Sequence, residues 1–243
     1  LVNRLVDDGH DVIVFDDLST GKEENINKKA KFFLVDISYE SSFAKTMKEI
    51  MTGVDVVFHL AAKARVQPSI ENPIEFNNVN VGGTLNMLKA CVDCGISRFI
   101  YSSSSSVYGN VEQLPTPEGH KLNPMSPYAL QKLIGEQYCK LYSELHGLET
   151  VCLRYFNVYG DGMSLEGAYK LVIPIFTEQM LRGAPMTIRG NGEQRRDFTY
   201  VGDVVDANIR CMDYPLELNG EAFNIGNGDN RSVNQIANLL SED

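Results

Sequence analysis

Short apolar runs rich in β-branched residues alternate along the chain with longer stretches in which apolar residues recur every three or four positions. Runs without strict polar alternation predict strands that are covered on both faces, and they lie at 11–16, 31–35, 54–60, 98–103 and 150–155. Helical spacing occurs at 80–94 and 126–146, and residues 1–9 look like a helix that ends at Gly9. Strands that alternate with helices of this length predict right-handed parallel crossovers. The expected fold class is α/β, a doubly wound, Rossmann-like parallel sheet with a smaller layer against it.

The pattern changes after Gly160. A glycine-rich stretch is followed by a predicted helix that ends at Leu181, a short strand at 186–189 and a turn at 190–192. A strand at 196–201, a helix at 203–212, a strand at 221–225 and a helix from Ser232 are then expected to return the chain to the main sheet. The predicted segments are therefore 1–160, 161–195 and 196–243.

Composition narrows the classes of partner. The net charge of -10 over 243 residues argues against a nucleic-acid partner, which needs clustered Lys and Arg. We also expect no membrane partner, since no apolar run has the length of a membrane span, and Leu1 to Gly9 lack the order of a signal peptide. The expected location is the cytoplasm.

The cysteines are expected to be core residues rather than disulfide partners or metal ligands. Their number, five, is odd, which favours free thiols over a disulfide framework. Cys91 and Cys94 have the spacing of a zinc-ligand pair, but no second Cys or His pair follows at a suitable distance. We therefore expect no metal site.

Tyr128 and Lys132 form the first candidate for chemistry. At about 100° per residue, they lie about 40° apart on their helix, opposite an apolar stripe that includes Leu130, Leu141 and Leu145. An ammonium one turn away should stabilise a phenolate and lower the pKa of Tyr128 towards a working range for a base. A solvated Tyr and Lys pair is the alternative, and the motif alone does not decide between the two readings.

A strand that ends in a run of serines strengthens the catalytic reading. Residues 98–109 place hydroxyl groups at the carboxyl edge of the predicted sheet, where parallel sheets bind ligands. Four motifs, in order and spacing, then resemble the extended short-chain dehydrogenase/reductase family, most of all its UDP-glucose 4-epimerase group. These motifs are 99–109, 126–132, 153–160 and 196–201.

The resemblance implies an NAD-dependent enzyme that epimerises a nucleotide-activated sugar at C4, an isomerase. Tyr128 would take the proton of the 4-hydroxyl while C4 gives its hydride to NAD, and a transient 4-keto sugar would turn and regain the hydride on its other face. Ser104 would bond the reacting oxygen beside Tyr128, and Lys132 would also hold the nicotinamide ribose. Segment 1–160 would bind NAD, 161–195 would bind substrate, and 196–243 would start a further substrate region.

Cofactor contacts are expected along the carboxyl edge. Asp16 ends a strand, where its carboxylate can bond the adenosine ribose and repel a 2′-phosphate, which favours NAD over NADP; a cap or turn former is the alternative. Ala61 and Ala62 could equally serve helix packing alone. The full expected set, largely implied by the resemblance, is Asp16, Asp36, Ile37, Leu60, Ala61, Ala62, Asn80, Tyr128, Lys132 and Tyr155.

Substrate contacts follow from the same resemblance. Arg196 suits a sugar diphosphate because its guanidinium is forked and permanently charged, although an ion pair with Asp197 or Glu193 is the alternative. Asn157 could instead be a turn residue, the serines could serve a turn alone, and Val172 and Ile188 could be core residues rather than neighbours of the uracil. The expected substrate set is Ser104, Ser105, Ser106, Asn157, Val172, Ile188 and Arg196.

Two rival functions remain. A nucleotide-sugar 4,6-dehydratase or decarboxylase of the same fold would carry an acid beside the catalytic hydroxyl, but no Asp or Glu lies between Ser102 and Tyr108. A non-catalytic NAD-sensing regulator would need the fold but not the Tyr128 and Lys132 pair. The resemblance also implies a homodimer through helices 80–94 and 126–146, unless Leu85, Leu88, Leu133 and Leu141 face the sheet instead.

The ends of the chain depart from the family pattern. The family's glycine-rich pyrophosphate turn is expected upstream of Leu1, and the residues that govern acceptance of N-acetylated sugars are expected beyond Asp243. We therefore expect this stretch to be truncated at both ends, to lack the first, central strand, and to bind NAD poorly by itself.

Overall fold

A computed structural model describes residues 1–39, 47–163 and 171–241, and the chain divides into two compact units. The first unit comprises Leu1–Arg154 and Ala207–Asn224. The second unit comprises Tyr155–Asp206 and Ile225–Asp243. Part of the predicted 161–195 segment, residues 164–170, lies outside the described residues.

The elements follow one another in the alternation that the apolar pattern predicts. Helices and strands up to residue 155 are α1 (Val2–Asp7), β1 (Ile13–Asp16), β2 (Lys31–Leu34), β3 (Val56–His59), α2 (Val66–Glu71), α3 (Pro73–Asn77), α4 (Thr84–Cys94), β4 (Arg98–Ser104), α5 (Pro127–His146) and β5 (Glu149–Tyr155). Those that follow are β6 (Asn157–Tyr159), α6 (Val172–Leu181), β7 (Arg195–Tyr200), α7 (Val201–Met212), β8 (Asn219–Ile225), β9 (Asn230–Ser232) and α8 (Val233–Ser241). A 3₁₀ turn at Ser105–Tyr108 follows β4.

The strands form three sets of ladders. β1 pairs with β2 in parallel, and β3, β4, β5 and β8 form a four-stranded sheet in that order, in which β3 and β4 are parallel. β7 lies between β6, with which it is parallel, and β9, with which it is antiparallel. Of the strands after residue 195, β8 thus joins the four-stranded sheet, whereas β7 and β9 pair with β6 and with each other. The α/β fold with a parallel central sheet is confirmed.

β4 shows why apolar runs became central strands. Phe99, Ile100 and Tyr101 are all fully buried, as a strand requires when both of its faces are covered. Phe99 and Tyr101 belong to the main core of the first unit together with Leu88 of α4 and Cys139 of α5. The catalytic candidates at the end of β4 therefore stand on a rigid strand.

α5 has defined ends. The Ser126 hydroxyl accepts a hydrogen bond from the backbone N–H of Ala129, and Pro127 occupies the first helical turn. Gly147 ends the helix in the left-handed conformation, with φ 67°. The predicted span of 126–146 is confirmed.

Two predicted elements differ from the structure. The helix expected at 80–94 is α-helical only from Thr84, because Asn78–Gly83 forms a π-helical segment before it. The strand expected at 186–189 is wrong, since those residues join no ladder. The Gln179 side chain instead accepts from the Thr187 backbone N–H at 3.0 Å and donates to the Thr187 hydroxyl at 3.0 Å. A helix side chain thus satisfies polar groups that a neighbouring strand would have bonded.

The buried face of α5 is not its leucine stripe. Leu130, Leu141 and Leu145 are 48%, 45% and 72% exposed, whereas Leu88 on α4 is fully buried. The face of α5 that is buried carries small and polar residues, namely Ala129, Gln131, Lys132, Gly135, Glu136, Cys139 and Ser143. Leu88 therefore faces the core and Leu141 faces outward, which resolves two positions that the sequence left open.

Candidate active site

Tyr128 and Ser104 meet at the carboxyl end of β4. Ser104 is the last residue of β4, and its hydroxyl forms a side-chain hydrogen bond with Tyr128 of α5. The Ser104 Oγ also accepts from the Ser106 backbone N–H at 3.2 Å and from the Ser106 hydroxyl at 2.9 Å. Two of the three predicted catalytic side chains are thus in direct contact, and Ser105 and Ser106 follow in the 3₁₀ turn.

Burial governs the pKa of Tyr128. Burial raises this pKa above its ordinary value, and the hydrogen bond with Ser104 acts in the opposite direction but does not cancel the rise. The net direction is opposite to the lowering that the sequence predicted. The cause is the burial of the phenol, which disfavours its charged form.

Lys132 is buried beneath the site. Its side chain is 4% exposed, and its Nζ donates to the Ser102 backbone carbonyl at 2.7 Å and lies 5.0 Å from the centre of the Tyr101 ring. Burial lowers the pKa of Lys132 to about 8, while nearby Cys139, Cys152 and Glu136 raise it in part. The ammonium is thus held by β4, one helical turn from Tyr128.

A buried ion pair continues the same face of α5. Arg154 of β5 donates from Nε to Glu136 Oε1 at 2.9 Å and from Nη2 to Glu136 Oε2 at 2.7 Å. Ser103 donates to Glu136 Oε1 at 2.5 Å. Arg154 Nη1 also donates to the Tyr108 hydroxyl at 2.8 Å. Glu136 therefore joins β5 to the serine run of β4.

This ion pair was not predicted from the sequence, although one signal for it was present. Tyr128, Lys132 and Glu136 are spaced four residues apart, which places all three along one face of a helix. Nothing in the sequence predicted that Arg154, one residue before the Tyr155–Phe156–Asn157 motif, would be the partner of Glu136. Only the adjacency of β4, β5 and α5 reveals it.

Three of the predicted cofactor contacts lie at the carboxyl ends of β1 and β2. Asp16 ends β1, and its Oδ1 accepts from the Leu18 backbone N–H at 2.7 Å, so the turn-forming role is present. A cavity of about 230 Å³ lies beside it, lined by apolar Val14, Leu18 and Ile26 and by Lys22. A carboxylate at the rim of an apolar cavity fits a ribose next to an aromatic base, so the residues present suit an adenosine.

Asp36 and Ile37 differ in how open they are to a ligand. Asp36 Oδ1 accepts from the backbone N–H of Ser38 at 2.8 Å and from its hydroxyl at 2.7 Å. The Ile37 side chain is buried in the main core, close to the Cα of Gly83, while its carbonyl accepts from Asn86 at 2.8 Å. Packing accounts for the Ile37 side chain, so only its backbone remains a candidate for a ligand, whereas the Asp36 carboxylate has a second oxygen beyond the one used in the turn with Ser38.

Asn80 holds the loop that follows β3. Its Oδ1 accepts from the Lys63 backbone N–H at 2.8 Å, and its Nδ2 donates to the Lys63 carbonyl at 2.9 Å and to Gln131 Oε1 at 2.9 Å. Asn80 therefore ties the loop with Leu60, Ala61 and Ala62 to α5. Leu60 and Ala61 are exposed. Asn80 is therefore suited to shape the cofactor-binding edge of the sheet by fixing the backbone of this loop.

The other predicted residues belong to the second unit. Asn157 donates to the Asp197 carbonyl at 2.9 Å, and Tyr155 is partly buried. Val172 packs against the small core around Phe176, as its core alternative predicted, whereas Ile188 is exposed. The structure does not bring these residues together with Tyr128 within one unit.

Arg196 faces another arginine. Its Nη1 donates to the Arg195 carbonyl at 2.6 Å, and it lies directly opposite Arg231 in the antiparallel pairing of β7 with β9. Arg231 pairs with Asp229 at 2.5 Å. The Asp229 carboxylate thus offsets the charge of Arg231, and exposed Arg196 is the one of these two register partners that is left as a candidate for an anion.

Three further features of the described residues concern the thiols, possible metal ligands, and the length and polarity of the helices. All five cysteines are free thiols, and burial raises the pKa of Cys91. Across 1–39, 47–163 and 171–241, no three or more His, Cys, Asp or Glu side chains are grouped so that they could hold a metal. In the same ranges, every helix is too short or too polar to cross a membrane.

Comparison with known proteins places this geometry in a family. The model of the NAD dependent epimerase/dehydratase family matches residues 1–226. A curated relative from Methanocaldococcus jannaschii, named putative UDP-glucose 4-epimerase, is 40% identical over 244 aligned positions, and the match covers 100% of this chain and 77% of that protein.

Solved structures agree. UDP-glucose 4-epimerase of Thermotoga maritima, solved with UDP-glucose, has a TM-score of 0.90 and 40% identity, and the match covers 99% of this chain and 77% of that chain. UDP-glucose 4-epimerase of Thermus thermophilus, solved with NAD, has a TM-score of 0.88 and 34% identity, with 99% and 78% covered.

Proposed function

Because this chain belongs to the NAD dependent epimerase/dehydratase family, we propose that it inverts C4 of a nucleotide-diphosphate sugar. The substrate is UDP-glucose or UDP-galactose, or an N-acetyl or uronate analogue, and the cofactor is NAD. The observation that carries this proposal is the hydrogen bond between Ser104 and Tyr128, with buried Lys132 one helical turn along.

The proton chemistry belongs to Tyr128 and Ser104. NAD, when bound, supplies a site that accepts a hydride and returns it. Tyr128 Oη takes the proton from the sugar 4-hydroxyl as the 4-keto sugar forms, and gives a proton back when the inverted alcohol forms. The Ser104 hydroxyl, already bonded to Tyr128, holds the same sugar oxygen. Lys132, one helical turn along, is held by the Ser102 carbonyl and is assigned to the nicotinamide ribose.

Asp16 is the main cofactor contact on the adenosine side. Its carboxylate has a second oxygen beyond the one used in the turn with Leu18, and that oxygen suits a ribose hydroxyl. Asp36, the backbone of Ile37 and the loop Leu60–Ala61–Ala62 hold the rest of the dinucleotide. Asn80 orients that loop, and Lys132, Tyr128 and Tyr155 hold the nicotinamide end.

The substrate diphosphate is assigned to Arg196. Its exposed, forked and permanently charged guanidinium supports this role, since it can donate two hydrogen bonds to a diphosphate. Ser105 and Ser106 line the sugar side, Asn157 contacts the diphosphate, and Val172 and Ile188 flank the uracil.

Elimination is disfavoured. A dehydratase or decarboxylase needs an acidic residue beside the catalytic hydroxyl, and the positions after Ser104 are the hydroxyl residues Ser105 and Ser106. The nearest buried carboxylate, Glu136, is already occupied by Arg154 and Ser103. Epimerisation is therefore the better supported reaction.

The proposed assembly is a cytoplasmic homodimer. Leu130, Leu141 and Leu145 form an exposed apolar stripe on α5, which a second copy of the helix would cover. The free cysteines accord with a reducing compartment.

The direct test replaces Tyr128 by Phe in the full-length protein. Incubation with UDP-galactose, UDP-N-acetylgalactosamine and UDP-glucuronate in turn, followed by NMR of the sugar, reports inversion at C4. Tyr128→Phe should lower kcat by roughly 10² to 10⁴ because the general base is lost. Binding of the UDP-sugar should persist.

Tyr138→Phe is the matched control, since Tyr138 is a partly buried tyrosine on the same helix that packs against the core. It should leave kcat unchanged. A Tyr128→Phe variant with the parent kcat would refute the proposed mechanism, and a stable 6-deoxy-4-keto product would assign the protein to the dehydratases instead.

A further inference from the structure

The end of β4 is bonded to α5 at three consecutive residues. Ser102 accepts from Lys132 through its carbonyl at 2.7 Å, Ser103 donates to Glu136 at 2.5 Å, and Ser104 bonds Tyr128. The three partners on α5 are spaced one helical turn apart. Only two of these bonds involve residues with a proposed catalytic role, so the bond between Ser103 and Glu136 needs its own explanation.

We propose that Glu136, clamped by Arg154, is a positioning residue that acts through Ser103 to hold the end of β4 in place along α5 and so align Ser104 with Tyr128. This inference rests on the proposed function, because it concerns how that site is kept in register. Neither Glu136 nor Arg154 is proposed to touch the substrate or the cofactor.

Glu136 is suited to this task because its carboxylate is fully engaged. Both of its oxygens accept from Arg154, and one accepts from Ser103 as well. The Arg154 and Glu136 side chains are 5% and 7% exposed. A buried carboxylate with three donors has little freedom to rotate, so it can fix the hydroxyl that it binds.

Arg154 is fixed in turn by groups beyond α5. Its Nη1 donates to the Tyr108 hydroxyl at 2.8 Å and to the Glu118 carbonyl at 3.1 Å, and its guanidinium lies 4.9 Å from the centre of the Tyr108 ring. The Tyr108 hydroxyl donates to Asn224 Oδ1 of β8 at 2.7 Å. The clamp is therefore anchored on β5 and β8 and does not depend on the substrate.

The geometry predicts that Ser103 controls the position of the end of β4 along the axis of α5. Ser103 and Ser104 are adjacent on the strand, whereas Glu136 and Tyr128 lie about 12 Å apart along the helix axis at about 1.5 Å per residue. Two bonds at separate heights on α5 prevent the strand end from sliding along the helix. Loss of the Ser103 bond removes one of these two restraints, and a shift of about 1 Å at a reacting group can cost about 10²-fold in rate.

The test compares Ser103→Ala with Ser103→Thr in the full-length protein. Both variants keep the Glu136 and Arg154 pair, so both are expected to fold. Ser103→Ala should lower kcat by roughly 10-fold to 10²-fold and leave KM for the UDP-sugar within about twofold, because only alignment for reaction is lost. Ser103→Thr keeps the hydroxyl and should recover most of kcat.

Ser143→Ala is the matched control. Ser143 is also buried on α5 and donates to the Leu148 carbonyl at 2.6 Å, outside the serine run. It should lower the melting temperature about as much as Ser103→Ala does, but leave kcat unchanged. If packing alone mattered at Ser103, the added methyl of Thr would harm kcat more than Ala, and that order would overturn the proposal.

A double-mutant cycle with Glu136→Asp tests the route of the effect. Aspartate keeps a charge for Arg154 but withdraws the carboxylate from Ser103, so kcat of Ser103→Ala/Glu136→Asp should match that of the lower single variant. Losses that multiply would show that the two residues act independently and would overturn the proposal. If Tyr128→Phe is inactive and Ser103→Ala is fully active, only the positioning role of Glu136 and Ser103 is rejected. If Tyr128→Phe is active, the proposed function itself is rejected.

Discussion

Gly135 allows α5 to approach β4 closely, and its replacement by Ala is the sharpest test of that packing. A Cβ at this position would lie 2.2 Å from Tyr101 Oη, 2.4 Å from Cζ and 2.9 Å from Cε1, whereas ordinary contact begins at 3.4 Å. The Tyr101 side chain is fully buried, and its hydroxyl donates to the Lys132 carbonyl at 3.5 Å, so the ring cannot shift to make room for the added methyl group. The helix must therefore move away from the strand by about 1 Å.

The magnitude follows from two opposing effects. Alanine in a helix interior is favoured over glycine by about 1 kcal/mol, but overpacking of a close contact costs about 1–3 kcal/mol and here displaces a whole helix. The net effect of Gly135→Ala is expected to be a fall in the free energy of unfolding of as much as about 2 kcal/mol. Because α5 carries Tyr128 and Lys132, kcat should also fall by roughly 10-fold or more.

Urea unfolding followed by circular dichroism measures the first effect, with an unchanged m-value required for the comparison. Gly82→Ala is the matched control, because a Cβ on Gly82 would meet nothing within 4 Å. It should leave stability unchanged or slightly raised. If Gly135→Ala proves as stable and active as Gly82→Ala, the argument that this glycine sets the distance between helix and strand is wrong.

Two further predictions concern the first unit. Arg98 donates to the carbonyls of Cys211 and Met212 at the end of α7 and forms an ion pair with Glu149. Arg98→Met should therefore lower the free energy of unfolding by about 2–4 kcal/mol in a thermal melt. The loss should exceed that of the control Lys89→Met, which removes an exposed ion pair with Asp93. His59 has its pKa lowered to about 3 by burial and by the charge of Lys132, against 6.5 when unfolded. The unfolded chain therefore binds a proton between pH 6.5 and 3 that the folded chain does not, and stability should fall by about 1.4 kcal/mol per pH unit as pH drops through that range. In urea titrations at several pH values, His59→Gln should show a shallower slope, and an unchanged slope would exclude His59 as the cause.

The corrections share a physical cause. Leucine spacing on α5 correctly predicted a helix, but it did not predict which face is buried, because the inward face uses Gly135 for close approach and Lys132 and Glu136 for bonds to β4 and β5. The strand predicted at 186–189 failed for a related reason, since the bonds that Thr187 makes come from a side chain on α6. Periodicity reports how apolar residues recur and says nothing of specific polar partners.

The pKa of Tyr128 shows the same limit. Spacing placed Lys132 one turn from the phenol, but it could not show that the ammonium would bond the Ser102 carbonyl or that burial would raise the pKa of the phenol. Asn80 was expected as a cofactor contact, and the structure shows it bonded to the backbone of Lys63 and to Gln131. Both outcomes depend on groups more than fifteen residues away in the chain.

The amino-acid sequence determined by itself those features that arise from neighbours along the chain. Strand and helix periods, the cap at Ser126, the turn at Gly147 and the placement of Tyr128 and Lys132 on one helix are local, and they sufficed to identify the fold class and the resemblance. The resemblance had already implied that Ser104 lies beside Tyr128, whereas the tertiary structure alone decided that Arg154 clamps Glu136 and that Arg196 lies opposite Arg231. These pairings bring together distant parts of the chain, and only the packing of strands and helices determines which distant side chains come within bonding distance.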